Sequence, residues 1–333
     1  MVSARRRPVI AVAGPTAAGK SAVAIELALR FGGEIVNADS VQVYRHLDIG
    51  TAKPSLADRA LVPHHLLDVV TPEVAYNAGR YAREARAAAA AIHARGRPVF
   101  LTGGTGLYMR AFLEGLLETG EPEPGVREAL EREAERAAAE GDALRLHRRL
   151  GELDPDAARA IHPHDVRRVV RALEIERRTG TPASRLRAAH DFSDRPFDVL
   201  YLVLDPGRAA LDARIDARAQ AMIDAGLLAE CRGLAARGYR STLRSLQAIG
   251  YRHLMPVVEG SDTLANALEA MRRDTRRFAR RQRTWFRGVR GAVWLDPADR
   301  AGIDARVKAW LAVGRGESDA AAPSAAPGSL LRG

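Results

Sequence analysis

The sequence predicts an α/β fold, a parallel sheet flanked by helices and interrupted by an all-helical insertion. Three observations predict it. The apolar run Val9–Ala13 leads directly into Gly14-Pro15-Thr16-Ala17-Ala18-Gly19-Lys20-Ser21, which opens the helix-like segment Ala22–Leu29. Further short apolar runs, Glu34–Ala38, Arg97–Thr102 and Phe197–Leu204, run into Asp39, Gly103 and Asp205. Between them, from Gly125 to about Leu186, the apolar spacing is helical throughout and offers no strand candidate. Strand, phosphate loop and helix in that order point to a P-loop NTPase-like sheet.

Residues 8–13 form the first strand, and the helix after the loop runs to about Arg30. The second strand, Glu34–Ala38, ends at Asp39. Ligands gather at the carboxyl ends of parallel strands, so topology alone places Asp39 near the phosphate loop. A loop containing Pro54 and Pro63 carries Pro63-His64-His65-Leu66-Leu67-Asp68. An Ala-rich helix spans Asn77 to Arg95. The third strand ends in Gly103-Gly104-Thr105-Gly106-Leu107-Tyr108, a second strand-to-helix turn at the same rim. Pro122 and Pro124 then mark a break. The last long helix of the insertion starts at Asp165; Arg167, Arg168 and Arg171 lie on one side, and Val169, Val170 and Leu173 can pack on another. The sheet resumes at Phe197, helices that include Arg214–Arg218 follow, and residues 292–295 form a final short strand. The tail from about Gly314 is rich in Ala, Ser, Pro and Gly, a composition that does not pack. The predicted division is a core of residues 8–121 and 190–313, an insertion of 122–189, and a disordered tail of 314–333.

The 333 residues suffice for one large core plus an insertion, and no apolar run is long enough to span a bilayer. The basic start Met1–Pro8 leads into a strand and lacks the apolar stretch of a secretory signal. The single cysteine, Cys231, excludes an internal disulfide framework and a cysteine metal cluster. A cytoplasmic protein without membrane contact is expected. The net charge is +10. An Arg- and Ala-rich composition accounts for part of it, but the excess is concentrated. Arg272, Arg273, Arg276, Arg277, Arg280, Arg281, Arg283, Arg287 and Arg290 share residues 272–290 with one acid, Asp274. A solvated helix face would mix signs, so a polyanion such as a nucleic-acid backbone is the expected partner.

The phosphate loop has a plain physical logic. Its glycines let backbone N–H groups close around an oxyanion, the helix start adds its positive end, Lys20 supplies a mobile charge, and Ser21 can ligate Mg²⁺. An ATPase would also need an acid at a strand end to hold the metal. Asp205 has the position, but its reading as a cap or turn residue outweighs that one. Asp39 is different. A carboxylate beside a phosphate pocket repels the anion and makes sense facing a nucleophile whose proton it accepts. His64 and His65 have no further carboxylate or histidine at ligand spacing and are expected to shape the loop under the site.

These strings resemble a known family. Gly14–Ser21, Asp39-Ser40-Val41-Gln42-Val43-Tyr44, Asp48-Ile49-Gly50-Thr51-Ala52-Lys53-Pro54, Pro63–Asp68 and Gly103–Tyr108 are similar, in order, to the signatures of tRNA dimethylallyltransferases (tRNA isopentenyltransferases). So are Asp165–Ile175, Gln247-Ala248-Ile249-Gly250-Tyr251-Arg252 and Arg280-Arg281-Gln282-Arg283-Thr284-Trp285. The likeness covers roughly residues 8–296 and suits the short bacterial form, without the C-terminal zinc finger of some eukaryotic members. The resemblance implies transfer of a dimethylallyl group from dimethylallyl diphosphate to N6 of the adenosine at position 37 of tRNA, in the anticodon stem-loop, with diphosphate leaving. It implies Asp39 as general base and Thr105 bonded near the reacting atoms. It implies that Gly14, Pro15, Thr16, Ala17, Ala18, Gly19, Lys20 and Ser21, with Arg218, grip the diphosphate, and that Mg²⁺ sits on Ser21. The implied tRNA contacts are Asp39, Ser40, Val41, Gln42 and Thr105, then Arg127, Arg167, Arg168, Val169, Val170 and Arg171, then Gln247–Arg252, and finally Arg280, Arg281, Gln282, Arg283, Trp285 and Arg287. A monomer with no obligate protein partner is the expectation. Three rival readings share parts of the pattern: a small-molecule kinase, a nucleic-acid-binding NTPase switch, and an adenylate isopentenyltransferase. The arginine-rich segments and the insertion argue for the tRNA enzyme.

Overall fold

A computed structural model describes residues 7–116, 125–190 and 194–319. The basic start before Arg7, the Pro122/Pro124 break and the chain after Asp319 lie outside the described residues. The chain divides into two compact units, 1–113 with 196–333, and 114–195.

The first unit is built on a six-stranded, wholly parallel sheet. In chain order its elements begin with β1 (Arg7–Ala13), α1 (Lys20–Phe31), β2 (Glu34–Asn37), α2 (Leu56–Leu61), β3 (His64–His65), α3 (Ala78–Ala94), β4 (Val99–Thr102) and α4 (Gly106–Glu114). The helices α5 to α9 belong to the other unit, and the sheet resumes with β5 (Phe197–Leu204). Then come α10 (Arg208–Asp224), α11 (Leu227–Ala236), α12 (Tyr251–Val258), α13 (Leu264–Arg287), β6 (Val293–Leu295) and α14 (Arg300–Asp319). The strand order is β3-β2-β4-β1-β5-β6, which puts β1 between β4 and β5. The pair His64–His65, expected as loop, is a short strand that pairs with Ile35 and Val36. Two residues are too few to show a period. Helix α14 continues past Gly314, where the tail was expected to begin.

The alternation of β1 sorts the core. Val9, Ala11 and Ala13 belong to the apolar layer that holds Tyr81, Phe112 and Tyr251. Ile10 and Val12 belong to the opposite layer, with Val23, Leu27, Leu211 and Val307. Side chains of successive strand residues point to opposite faces, so a strand buried on both faces reads as a continuous apolar run. Helix α1 stops at Gly32, in left-handed conformation, whose N–H bonds the carbonyl of Ala28.

The second unit contains α5 (Val126–Ala139), α6 (Arg145–Leu153), α7 (Pro155–Ala160), α8 (Val166–Thr179) and α9 (Ala183–His190). It has its own core, with Leu130, Leu150, Val169, Val170 and Leu173. Asp165 caps α8 by accepting from the N–H of Arg168. Buried Glu174 accepts from Arg127 and pairs with Arg171.

Candidate active site

The phosphate loop joins β1 to α1. Ala17 takes a left-handed φ of 64° and Gly19 one of 88°. The Ala18 N–H bonds the carbonyl of Pro15, while the N–H groups of Ala17, Gly19, Lys20 and Ser21 have no partner among the described residues. Lys20 Nζ donates to the Pro15 carbonyl at 2.8 Å, folded back over its own loop. Burial, and then the nearby Arg218 cation, pull the Lys20 pKa down to about 8, against the opposing pull of Asp39. Burial likewise lowers Arg218, and Asp39 again opposes it. Two cations and one carboxylate therefore sense one another.

All three line one open cleft with Thr16, Ser21, Gln42 and Thr102. Asp39 Oδ1 accepts from the N–H groups of Val41 at 2.8 Å and Gln42 at 3.3 Å. Its other oxygen, Oδ2, has no partner among the described residues. Thr105, from the turn after β4, accepts from the Ser40 N–H at 3.0 Å and donates to Ser40 Oγ at 3.2 Å. It braces the turn that carries Asp39. Thr102 adds a buried hydroxyl with no hydrogen-bond partner among the described residues. His64 also lines the cleft; its Nδ1 bonds the Val62 carbonyl, and burial lowers its pKa. His65 instead pairs with buried Glu34, whose carboxyl Arg95 holds down at about 2. Among the described residues no group of three His, Cys, Asp or Glu could hold a metal.

Asp205 behaves as a turn residue: Oδ1 accepts from the Gly207 N–H and Oδ2 from Arg283 Nε at 2.8 Å. Two of the strings that carry the resemblance have other work. Glu230, on α11, accepts from the N–H groups of Asp48, Ile49 and Gly50 and from the Tyr251 hydroxyl at 2.6 Å. A Cβ on Gly50 would sit 2.6 Å from the Tyr251 ring, so the two strings interlock only with glycine there. Lys53 Nζ, almost wholly buried, bonds the Tyr44 carbonyl, Asp48 and Asp68. No signal in the sequence singles out Glu230 beyond its being an acid in an apolar run.

The predicted RNA contacts separate by exposure. Arg167, Arg168, Gln247, Arg252, Arg280, Arg281, Trp285 and Arg287 are exposed. Arg252 pairs with Asp274, and Arg281 lies over the Phe278 ring. Val169, Val170 and Tyr251 are buried in their units' cores, Gly250 is buried, and Ala248 and Ile249 are half-buried. The side chains of Val169, Val170 and Tyr251 are thus unsuited to touch RNA, a correction to the expectation. Gln282 is also buried, and its amide binds protein at both ends. Arg283 is held by Asp205, while Arg127 and Arg171 are held by Glu174.

Comparison with known proteins matches residues 42–289 to the family model described as IPP transferase, and residues 7–62 to one described as isopentenyl transferase. A protein of Myxococcus xanthus named tRNA dimethylallyltransferase is 48% identical over 299 residues, 90% of this chain and 96% of that one. Its namesake in Desulfatibacillum aliphaticivorans is 44% identical over 306 residues, 92% and 99%. A crystal structure of the tRNA isopentenylpyrophosphate transferase of Bacillus halodurans matches with TM-score 0.69 and 34% identity, over 94% of this chain and all of that one. A eukaryotic dimethylallyltransferase acting on tRNA matches with TM-score 0.75 and 28% identity, over 92% and 78%. By sequence and by fold, the chain belongs to the IPP transferase family of tRNA dimethylallyltransferases and is a prenyltransferase.

Proposed function

We propose that this chain transfers a dimethylallyl group from dimethylallyl diphosphate to N6 of adenosine 37 in the anticodon stem-loop of tRNA. The names of its relatives support the reaction class. One observation supports the assignment of residues: Lys20, Arg218 and Asp39 sense one another within one cleft over a loop of unpartnered N–H groups.

In the transfer, the bond from the allylic carbon to the diphosphate oxygen breaks, and that oxygen keeps the electron pair. The bond from N6 to the allylic carbon forms, and N6 gives its proton to Asp39. The loop amides with Lys20 and Arg218 stabilise the charge building on the diphosphate. The N–H groups of Val41 and Gln42 orient the Asp39 carboxylate through Oδ1, which leaves Oδ2 for the amine. Thr105 keeps that turn in place through Ser40.

Mg²⁺ is the proposed cofactor. A single hydroxyl, Ser21, suits a cation that takes most of its oxygens from phosphate and water, and the unpartnered Thr102 hydroxyl adds a polar atom to the same cleft. When bound, the ion would neutralise part of the leaving group's charge. Arg167, Arg168, Arg280, Arg281 and Arg287 are the proposed phosphate contacts, which position the RNA without reading its sequence.

The test mixes the protein with Mg²⁺, labelled dimethylallyl diphosphate and unmodified tRNA, with AMP and with ATP plus tRNA as parallel acceptor and donor controls, and an Asp39→Ala variant alongside. Label in tRNA, lost in the variant, is expected. Label on AMP alone would make the chain an adenylate prenyltransferase. ATP turnover without transfer would refute the reading.

A further inference from the structure

Gln282 lies among arginines, yet it faces the protein interior. It sits in the C-terminal third of α13, six per cent exposed. Its Oε1 accepts from the Thr16 N–H at 2.8 Å, and its Nε2 donates to the Gly104 carbonyl at 2.8 Å. These partners fix which end of the amide is which, since a flipped amide would set NH₂ against an N–H and oxygen against a carbonyl.

Thr16 belongs to the phosphate loop and Gly104 to the turn after β4. The strands that carry them are neighbours, with Val12 opposite Thr102. Beyond that rung the backbone link weakens to one bond of 3.4 Å, from the Gly103 N–H to the Val12 carbonyl. Gln282 bridges the two turns where the strands end. Gly104 leads to Thr105, which holds Ser40 and so the Asp39 turn. Gln282 and Thr105 in succession therefore connect the diphosphate loop to the turn bearing the acid. Helix α13 is itself anchored there: Arg283 bonds Asp205 at the end of β5, and Trp285 packs against Gly106, where a Cβ would come within 2.1 Å of its Nε1.

We infer that Gln282 is a positioning residue, setting the separation between the phosphate loop and the Asp39 turn, and not an RNA contact. The inference rests on the reaction proposed above. With Gln282 in place, the Thr16 N–H is satisfied by protein, and the loop presents the amides of Ala17, Gly19, Lys20 and Ser21 to the anion. Without it, the Thr16 N–H is left unsatisfied or turns to another acceptor, and the two halves of the site lose their spacer. Glutamate cannot replace it, because a carboxylate offers the Gly104 carbonyl no donor. A side chain at position 104 would displace the amide by overlap, since a Cβ would lie 2.3 Å from Gln282 Nε2.

The test compares wild type, Gln282→Met and Gly104→Ala. The second variant dislodges the amide while leaving α13 and its arginines unchanged. Three quantities are measured: calorimetric binding of inorganic pyrophosphate with Mg²⁺, binding of an anticodon stem-loop RNA, and the kcat and KM of transfer. Melting temperatures set an assay temperature at which every protein is folded. Both variants should bind pyrophosphate about tenfold more weakly, with KM for the allylic donor raised and kcat lowered, while RNA affinity changes less than twofold. Loss of RNA affinity in Gln282→Met alone, with pyrophosphate binding intact, would make Gln282 an RNA contact and overturn the inference. A lowered melting temperature with wild-type binding and kinetics would make it a mere brace and overturn it equally. If wild type itself binds no pyrophosphate, the proposed function falls and this inference falls with it; normal wild-type binding with unaltered variants would sink the inference alone.

Discussion

Two neighbouring regions of the core use peculiar sequence strings to opposite ends. At the phosphate loop and the Asp39 turn, polar groups are left open among the described residues: loop amides without partners, a carboxylate oxygen without one, and a buried threonine hydroxyl without one. Around Lys53 and Glu230 the key polar groups are committed. Lys53 makes three bonds, and Glu230 takes three backbone N–H groups and a phenol. The Thr102 hydroxyl is buried, where lacking a partner is costly, and the loop amides beside it stand open to solvent or to an anion's oxygens. Satisfied clusters mark architecture. Both strings carry the family resemblance, and only the bonding tells chemistry from scaffold.

The contrast can be broken by four measurements. The largest effect belongs to Asp39→Asn, which keeps an acceptor for Val41 and Gln42 but no longer takes a proton. Transfer should slow by about 10²–10⁴-fold while the melting temperature barely moves. Lys53→Met should do the reverse. Removing a buried cation from between Asp48 and Asp68 should cost about 3 kcal/mol in urea unfolding, with transfer retained by the folded fraction. If Lys53→Met left stability unchanged, the second region would not be scaffold at all.

A titration sharpens the first region. The Lys20 pKa is lowered to about 8, so in the empty protein Lys20 loses its charge well below the usual lysine range. Pyrophosphate needs the cation. The advantage of wild type over Lys20→Met in pyrophosphate affinity should therefore shrink about tenfold per pH unit above 8. The stability of the empty protein should move the other way over that window. The unfolded chain still holds a proton that the folded one has released, so folding is favoured as pH rises from about 8 towards about 10.4. The smallest effect is expected for Tyr251→Phe, which takes one donor from Glu230 and leaves its three backbone bonds; about 1 kcal/mol of stability should be lost.

What was legible in the sequence was local. The phosphate loop, the strand before it and the acid at the end of the next strand are each written within a few residues, and topology brings them together. The clamp was not legible, because Glu230 lies 182 positions from Asp48 and no periodicity links them. Gln282 is hard to place from sequence for a subtler reason. Charge dominates its surroundings and suggests an outward face, yet Ala279, Gln282 and Phe286 form an inward stripe at helical spacing. Val169 and Val170 carried the same warning. They are apolar neighbours of Arg167 and Arg168, and the helix turns them into the core of its unit.

The position of β1 has a consequence for how the protein is made. This strand, formed from the first residues described, pairs with β5 across seven rungs from Arg7↔Phe197 to Ala13↔Val203. A chain leaving the ribosome at roughly 5–20 residues per second therefore holds β1 for about 10–40 s before its partner has even been synthesised. The helical unit, with its own apolar core, is synthesised within that interval and is finished just before β5 begins. Its collapse shortens the excursion between the two strands, so the 82-residue unit adds little to the entropy of closing the sheet.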